Sequence, residues 1–171
     1  MPLGEILTTA KERSNRLFLF GLKRMLGRKL TMKTINETEI RVRYSETDQM
    51  AVVYHTNYLV WCEIGRTNLI SQLGFDYVQM EEQGFLAPVL DVHLQYKAPL
   101  RYGQSAIVKT WIETYDGLRT TYGYEVRVKE TGELSLLATT QHAIVTKEKF
   151  KPASFRRHFP EWDKVYKKEV E

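Results

Sequence analysis

Asp48 closes a polar run, Ser45-Glu46-Thr47-Asp48, and six residues later a largely apolar segment begins with Tyr54 and His55 at its mouth. Tyr58, Leu59, Val60, Trp61, Cys62 and Ile64 follow, and the segment reads as a helix over about 54–73. A helix start exposes unpaired N–H groups and a partial positive charge. Such donors can hold an oxygen that gains negative charge during acyl transfer. A carboxylate beside them can attack a carbonyl or activate a water. Together they are the minimum for hydrolysis of an ester or thioester. The same residues also fit a plainer arrangement, in which Asp48 only caps the helix or a turn.

Other side chains near this point are open to two readings. His55 suits either an acid–base role or a polar wall of the pocket. Tyr54 and Tyr58 either line an acyl channel or pack the core. Glu63 and Arg66 are spaced for an intrahelical ion pair. Glu63 lies nine residues beyond Tyr54, about 14 Å at 1.5 Å per residue, too far to share one acyl carbon with the helix start. Cys62, inside the apolar run, reads as inert core. His93 and His142 fall on different strands without metal-ligand spacing, and no phosphate loop or dinucleotide fingerprint occurs. No metal or redox cofactor is therefore expected.

The stretch Tyr44 to Arg66, YSETDQMAVVYHTNYLVWCEIGR, resembles the signature of an acyl-CoA thioesterase family. This family includes the Pseudomonas-type 4-hydroxybenzoyl-CoA thioesterases and the YbgC/FadM-like enzymes. Tyr44, Thr47, Asp48, Val53, Tyr54, His55, Tyr58, Glu63 and Arg66 match it at fixed spacing, and YKAPLRYG, Tyr96 to Gly103, is similar to a later strand end of the family. The resemblance covers about residues 36–150. It implies a hotdog fold and hydrolysis of an acyl-CoA, with Asp48 as nucleophile or general base. The oxygen-binding N–H would be that of His55 or Tyr54, His55 being favoured. Ala51 stands where the family usually has glycine, a position where positive φ or a close ligand approach is at stake. Tyr58, Ala51, Lys97 and Arg101 are the candidate substrate contacts, the two cations facing the phosphates of coenzyme A. An acyl-carrier-protein thioesterase and a non-catalytic binder of acyl-CoA or carrier protein are the competing functions. In another class of hotdog thioesterase the carboxylate lies within the helix, which keeps Glu63 in view.

These residues need elements to position them. Ile40, Val42 and Tyr44 alternate with charged neighbours as a first strand. After the helix, Gly74 suits a left-handed C-terminal cap, and Asp76 caps a short helix over about 77–83 that Gly84 closes. Four strands then follow without an intervening helix: about 90–97, 106–112, 122–128 and 134–146. Turns fall at Arg101–Gly103, Asp116-Gly117 and Thr131-Gly132. Short links make neighbours antiparallel. One curled sheet around one apolar helix, an α+β hotdog fold, satisfies the pattern, and residues 160–170 read as a last polar helix.

The totals bound the rest. A chain of 171 residues suits one domain. The net charge of +4 is unevenly spread: residues 1–33 hold eight Lys and Arg against two Glu, a net of +6, which leaves −2 for the remainder. The body, residues 34–171, is thus no nucleic-acid binder by charge. Residues 1–33 read as a basic extension, open to three interpretations: a weakly structured tail, a stretch upstream of a start at Met32, or a membrane-surface or targeting segment with contact through residues 1–31. The single cysteine and the lack of a long apolar run lead us to expect a cytoplasmic protein. Long sheet edges, together with the hotdog resemblance, lead us to expect a homodimer or a homotetramer built from dimers.

Overall fold

Alternating strands and one apolar helix arrange themselves as the sequence suggests. The computed structural model describes residues 33–171, and the basic extension lies outside the described residues apart from Lys33. The strands are β1 (Asn36–Arg41), β2 (Phe85–Leu86), β3 (Val89–Tyr96), β4 (Ser105–Tyr115), β5 (Arg119–Val128), β6 (Leu134–Ala143) and β7 (Val145–Thr146). The helices are α1 (Asn57–Gln72), α2 (Tyr77–Glu82), α3 (Phe155–His158) and α4 (Pro160–Val170). Five strands make one antiparallel sheet in the order β1-β4-β5-β6-β3, and β2 pairs with β7 apart from it. The hotdog architecture is confirmed: the sheet curls along α1, with bulges in β3, β4 and β5–β6 pairing that sharpen its twist.

The turn chemistry is direct. Between β4 and β5 the Asp116 carboxylate accepts from the N–H groups of Leu118 (2.8 Å) and Arg119 (2.6 Å), and Gly117 takes φ 91°. Gly74 ends α1 at φ 90°, a conformation that costs a side-chain-bearing residue energy. Asp76 caps α2 by accepting from Val78 N–H at 2.8 Å.

Four expectations change. First, α1 begins at Asn57 rather than Tyr54, because Tyr54 to Thr56 turn into the helix. Second, the apolar first half of α1 is only partly buried. Trp61, Cys62 and Leu69 are 0% exposed, whereas Val60 is 46% and Ile64 40% exposed, since the curled sheet covers only the side over β4 and β1. Third, the run 134–146 breaks after Ala143. There the chain exchanges β5 for new partners: Val145 bridges Pro152 and pairs with Leu86. Fourth, α4 is amphipathic rather than polar. Its Trp162 and Tyr166, one turn apart, are buried, with Trp162 stacked on Phe75 at 4.7 Å between ring centroids, while its lysines face solvent. No helix of the described residues is long and apolar enough to cross a membrane.

The sheet meets α1 most tightly at Gly65. A Cβ there would overlap the Thr110 hydroxyl and stand 3.1 Å from a Val108 methyl group. Both lie on β4, in the core, so neither can swing away. Gly65→Ala should therefore lower the unfolding free energy by about 1–3 kcal/mol, the range for overpacking a filled core. Urea denaturation with the slope compared between the two chains checks this.

Candidate active site

The site is built around residue 46. A 3-10 turn at Tyr44–Glu46 follows the first strand and leaves Glu46 only 3% exposed. A buried carboxylate needs donors. Its oxygens accept from Arg43 N–H (2.9 Å), Arg43 Nη2 (2.8 Å) and Trp61 Nε1 (3.1 Å). Burial works to raise its pKa, but these hydrogen bonds and the Arg43 charge outweigh burial and hold it below the ordinary carboxylate value. The Glu46 carbonyl in turn accepts from Tyr54 N–H and from Asn57 Nδ2, each at 2.8 Å.

Residues 47–53 form a small hairpin on this base. Thr47 bridges Val53. Asp48 N–H donates to Val52 O (3.0 Å) and Ala51 N–H to Asp48 O (2.9 Å). The turn requires positive φ at residue 51, and Ala51 adopts 57°. An L-residue with a Cβ bears a cost of about 1–2 kcal/mol in that region, which gives the departure from glycine a physical meaning. Val53 N–H anchors the far side on Leu100 O (2.8 Å), and Arg101 Nη1 donates to Ala51 O (3.1 Å).

Asp48 and His55 line one open cleft of about 280 Å³ with Tyr58, Tyr96, Lys97 and Pro99. Asp48 is half-buried, and its Oδ1 accepts from Met50 N–H at 2.8 Å. Its Oδ2 receives no hydrogen bond from the described residues. Tyr54 N–H is spent on Glu46, whereas His55 N–H meets no acceptor among the described residues. The Tyr96 hydroxyl donates to His55 O (2.9 Å) and steadies that peptide. Tyr58 is 3% exposed and donates or accepts with Ser135 Oγ at 3.3 Å, so it belongs to both core and cleft wall. Asp48, with one carboxylate oxygen unbonded among the described residues, and His55, with an uncommitted N–H, thus line one cleft. A carboxylate and a backbone donor are groups an acyl-transfer reaction uses.

Not every expected residue gathers here. The Tyr54 ring is 45% exposed and lies outside the cleft lining, as do Ala51 and Arg101, which act on the loop's backbone. Cys62 is wholly buried and burial pushes its thiol up to about 12, as expected of inert core. Glu63 and Arg66 do not pair. Arg66 turns inward, its Nη1 2.8 Å from His142 Nδ1, and its guanidinium lies 5.9 Å from the Tyr77 ring centre. An acceptor 76 residues along the chain wins over one a single turn away because it lies in the interior, where a hydrogen bond is less exposed to water. Sequence reasoning missed Glu46 and Tyr96. The signal for Glu46 was present: Arg43 three residues before it and an indole donor in the following helix.

A carboxylate loop beside a helix start, on a hotdog sheet, fits the class of thioester hydrolases. The sequence profile of the thioesterase-like superfamily matches residues 42–162, and the chain belongs to that superfamily. It is 54% identical over 134 residues to the provisionally named acyl-CoA thioesterase YneP of Bacillus subtilis, covering 78% of this chain and 96% of that protein. It is 28% identical over 114 residues to a 1,4-dihydroxy-2-naphthoyl-CoA hydrolase of Thermosynechococcus vestitus, covering 63% and 77%. Among solved structures, a DHNA-CoA thioesterase from Staphylococcus aureus superposes with a TM-score of 0.76 at 42% identity, covering 78% of this chain and 89% of that one.

The interior network of Arg66 and His142 yields a test. Burial and the Arg66 charge lower the His142 pKa from 6.5 to about 4. Between those values the unfolded chain binds a proton that the folded chain refuses. Stability from this group is therefore complete above about pH 6.5 and is lost as pH falls toward 4. His142→Gln should remove that component. Urea midpoints at about pH 7 and pH 4.5 should fall less in the variant than in the unchanged chain.

Proposed function

We propose that the protein hydrolyses an acyl-CoA thioester to a free acid and coenzyme A at the Asp48–His55 cleft. The observation that carries this reading is that Asp48, with one carboxylate oxygen unbonded among the described residues, and His55, with an uncommitted N–H, line the same cleft. The thioester carbonyl oxygen would accept from His55 N–H, which stabilises the oxyanion as the carbon becomes tetrahedral. Asp48 either attacks that carbon, giving an anhydride that water then opens, or takes a proton from an attacking water. In both routes the C–S bond breaks, the sulfur leaves as thiolate and is protonated, and the acyl carbon gains the oxygen of water. Lys97 lines the cleft and suits a coenzyme A phosphate, and Arg101 stands beside the loop. The names of two similar proteins support an aromatic acyl group as the first substrate class to test. The compartment this reading implies is the cytoplasm. Asp48→Asn keeps size and hydrogen bonding to Met50 but removes the reactive charge. Turnover of an aryl-CoA panel, followed by free thiol, should fall at least about 10²-fold with the fold unchanged. Unaltered hydrolysis in Asp48→Asn contradicts the mechanism.

The working unit we propose is a homodimer joined along β3. The two sheet edges differ. β1 alternates charges at Glu37, Glu39 and Arg41, which discourages pairing, whereas β3 carries one carboxylate, Asp91, and leaves Val89, Leu90, Val92 and Tyr96 at least 38% exposed. The uncovered side of α1, with Leu59, Val60 and Ile64, supplies more apolar surface. An antiparallel pairing about Val92–His93 with both helices on one side would set Tyr96 near the Val89 end of the partner strand. A second cleft of about 130 Å³, lined by Glu63, Arg66, Val89 and Tyr124, lies at that end. The partner would then supply part of the acyl wall beside Asp48. Light scattering at micromolar concentration should give a dimer mass or a multiple of it, and a monomer with full turnover would refute the joint site.

A further inference from the structure

We infer that Glu46 is the positioning residue of this site: its buried carboxylate fixes the separation between Asp48 and the His55 N–H. The inference rests on the proposed function for its catalytic consequence and on the geometry alone for its structural one. Five hydrogen bonds converge on this residue. Three reach the carboxylate, from Arg43 N–H, Arg43 Nη2 and Trp61 Nε1, and two reach the carbonyl, from Tyr54 N–H and Asn57 Nδ2. Trp61 is 0% exposed and lies in the second turn of α1, so it is fixed by the core. Through it the start of the Asp48 hairpin is tied to the body of the helix. Through Tyr54 and Asn57 its end is tied to the helix start. The same residue therefore grips both ends of the segment that carries Asp48, and by taking Tyr54 N–H it removes that donor while His55 N–H stays uncommitted among the described residues.

Glu46 is not among the residues that line the cleft, so its effect passes through other groups. A carboxylate is required because all three partners of the side chain are donors. In Glu46→Gln the amide NH₂ would face one of them, and the hairpin would shift to relieve the conflict. Misplacement of a reacting group by about 1 Å costs on the order of 10²-fold in rate. The test measures kcat, the Kd of a non-hydrolysable acyl-CoA analogue, and amide hydrogen exchange, in the full chain and in three variants. Glu46→Gln should lower kcat by about 10- to 100-fold while the analogue Kd stays within about twofold. Exchange in the peptide spanning residues 47–56 should quicken, with β4 and β5 unchanged. Arg43→Met and Trp61→Phe, which each remove one donor, should show the same pattern more weakly.

A folded Glu46→Gln chain with normal kcat and normal exchange in 47–56 overturns the inference. So does a loss of kcat, Kd and protection throughout the sheet together, since that is a general structural role. Where Glu46→Gln does not fold, the two donor variants decide: unaltered kcat and exchange in both refute it. If the unchanged chain hydrolyses no acyl-CoA, the functional proposal fails, and hydrogen exchange still decides whether Glu46 holds the hairpin.

Discussion

A carboxylate out of water must be met by donors, and that constraint at Glu46 shapes the site. Burying an unpaired carboxylate would cost several kcal/mol, so the chain on either side must bring its N–H groups to this point. Arg43 supplies two from the strand side and Trp61 one from the helix. The hairpin between them has little freedom left. Its turn at Asp48 is so tight that Ala51 is driven to φ 57°, and its exit consumes Tyr54 N–H. The next N–H, that of His55, meets no acceptor among the described residues, and His55 lines the same cleft as Asp48. The geometry that suits thioester hydrolysis thus follows from satisfying one buried charge.

The helix has the complementary task. Trp61 can act as a fixed anchor only because α1 lies hard against β4, with Gly65 allowing the approach. The sheet does not close around the helix, however. Its β3 edge and the Leu59–Ile64 side of α1 remain uncovered. A single protomer thus holds the groups proposed to react and leaves apolar surface uncovered. This uncovered surface is the one on which the proposed dimer would form.

What could be read from the sequence was local. Period-two alternation revealed β3 to β6, Asp116-Gly117 revealed a turn, and Gly74 and Gly84 revealed helix ends, because each depends on a few neighbouring residues. The Asp48–His55 segment was legible for the same reason, as was the special backbone at residue 51. Pairings over long separations were not. Glu63 and Arg66 look like a pair in sequence, yet Arg66 finds His142 in the interior. Residues 160–170 look polar by composition, yet the spacing of Trp162 and Tyr166 puts both into the core. Glu46 reads as one member of a polar run, and its buried carboxylate is met by an indole fifteen residues away.

The central claim is that one thioester carbonyl is held between Asp48 and the start of α1. It is tested most directly by a crystal structure with an aryl-CoA analogue in which a methylene replaces the thioester sulfur. The account predicts the analogue's carbonyl oxygen about 2.9 Å from the His55 nitrogen, with Asp48 Oδ2 facing the carbonyl carbon directly or through one water. A carbonyl seated beside Glu63 in the second cleft, or turned away from His55 N–H, would contradict it.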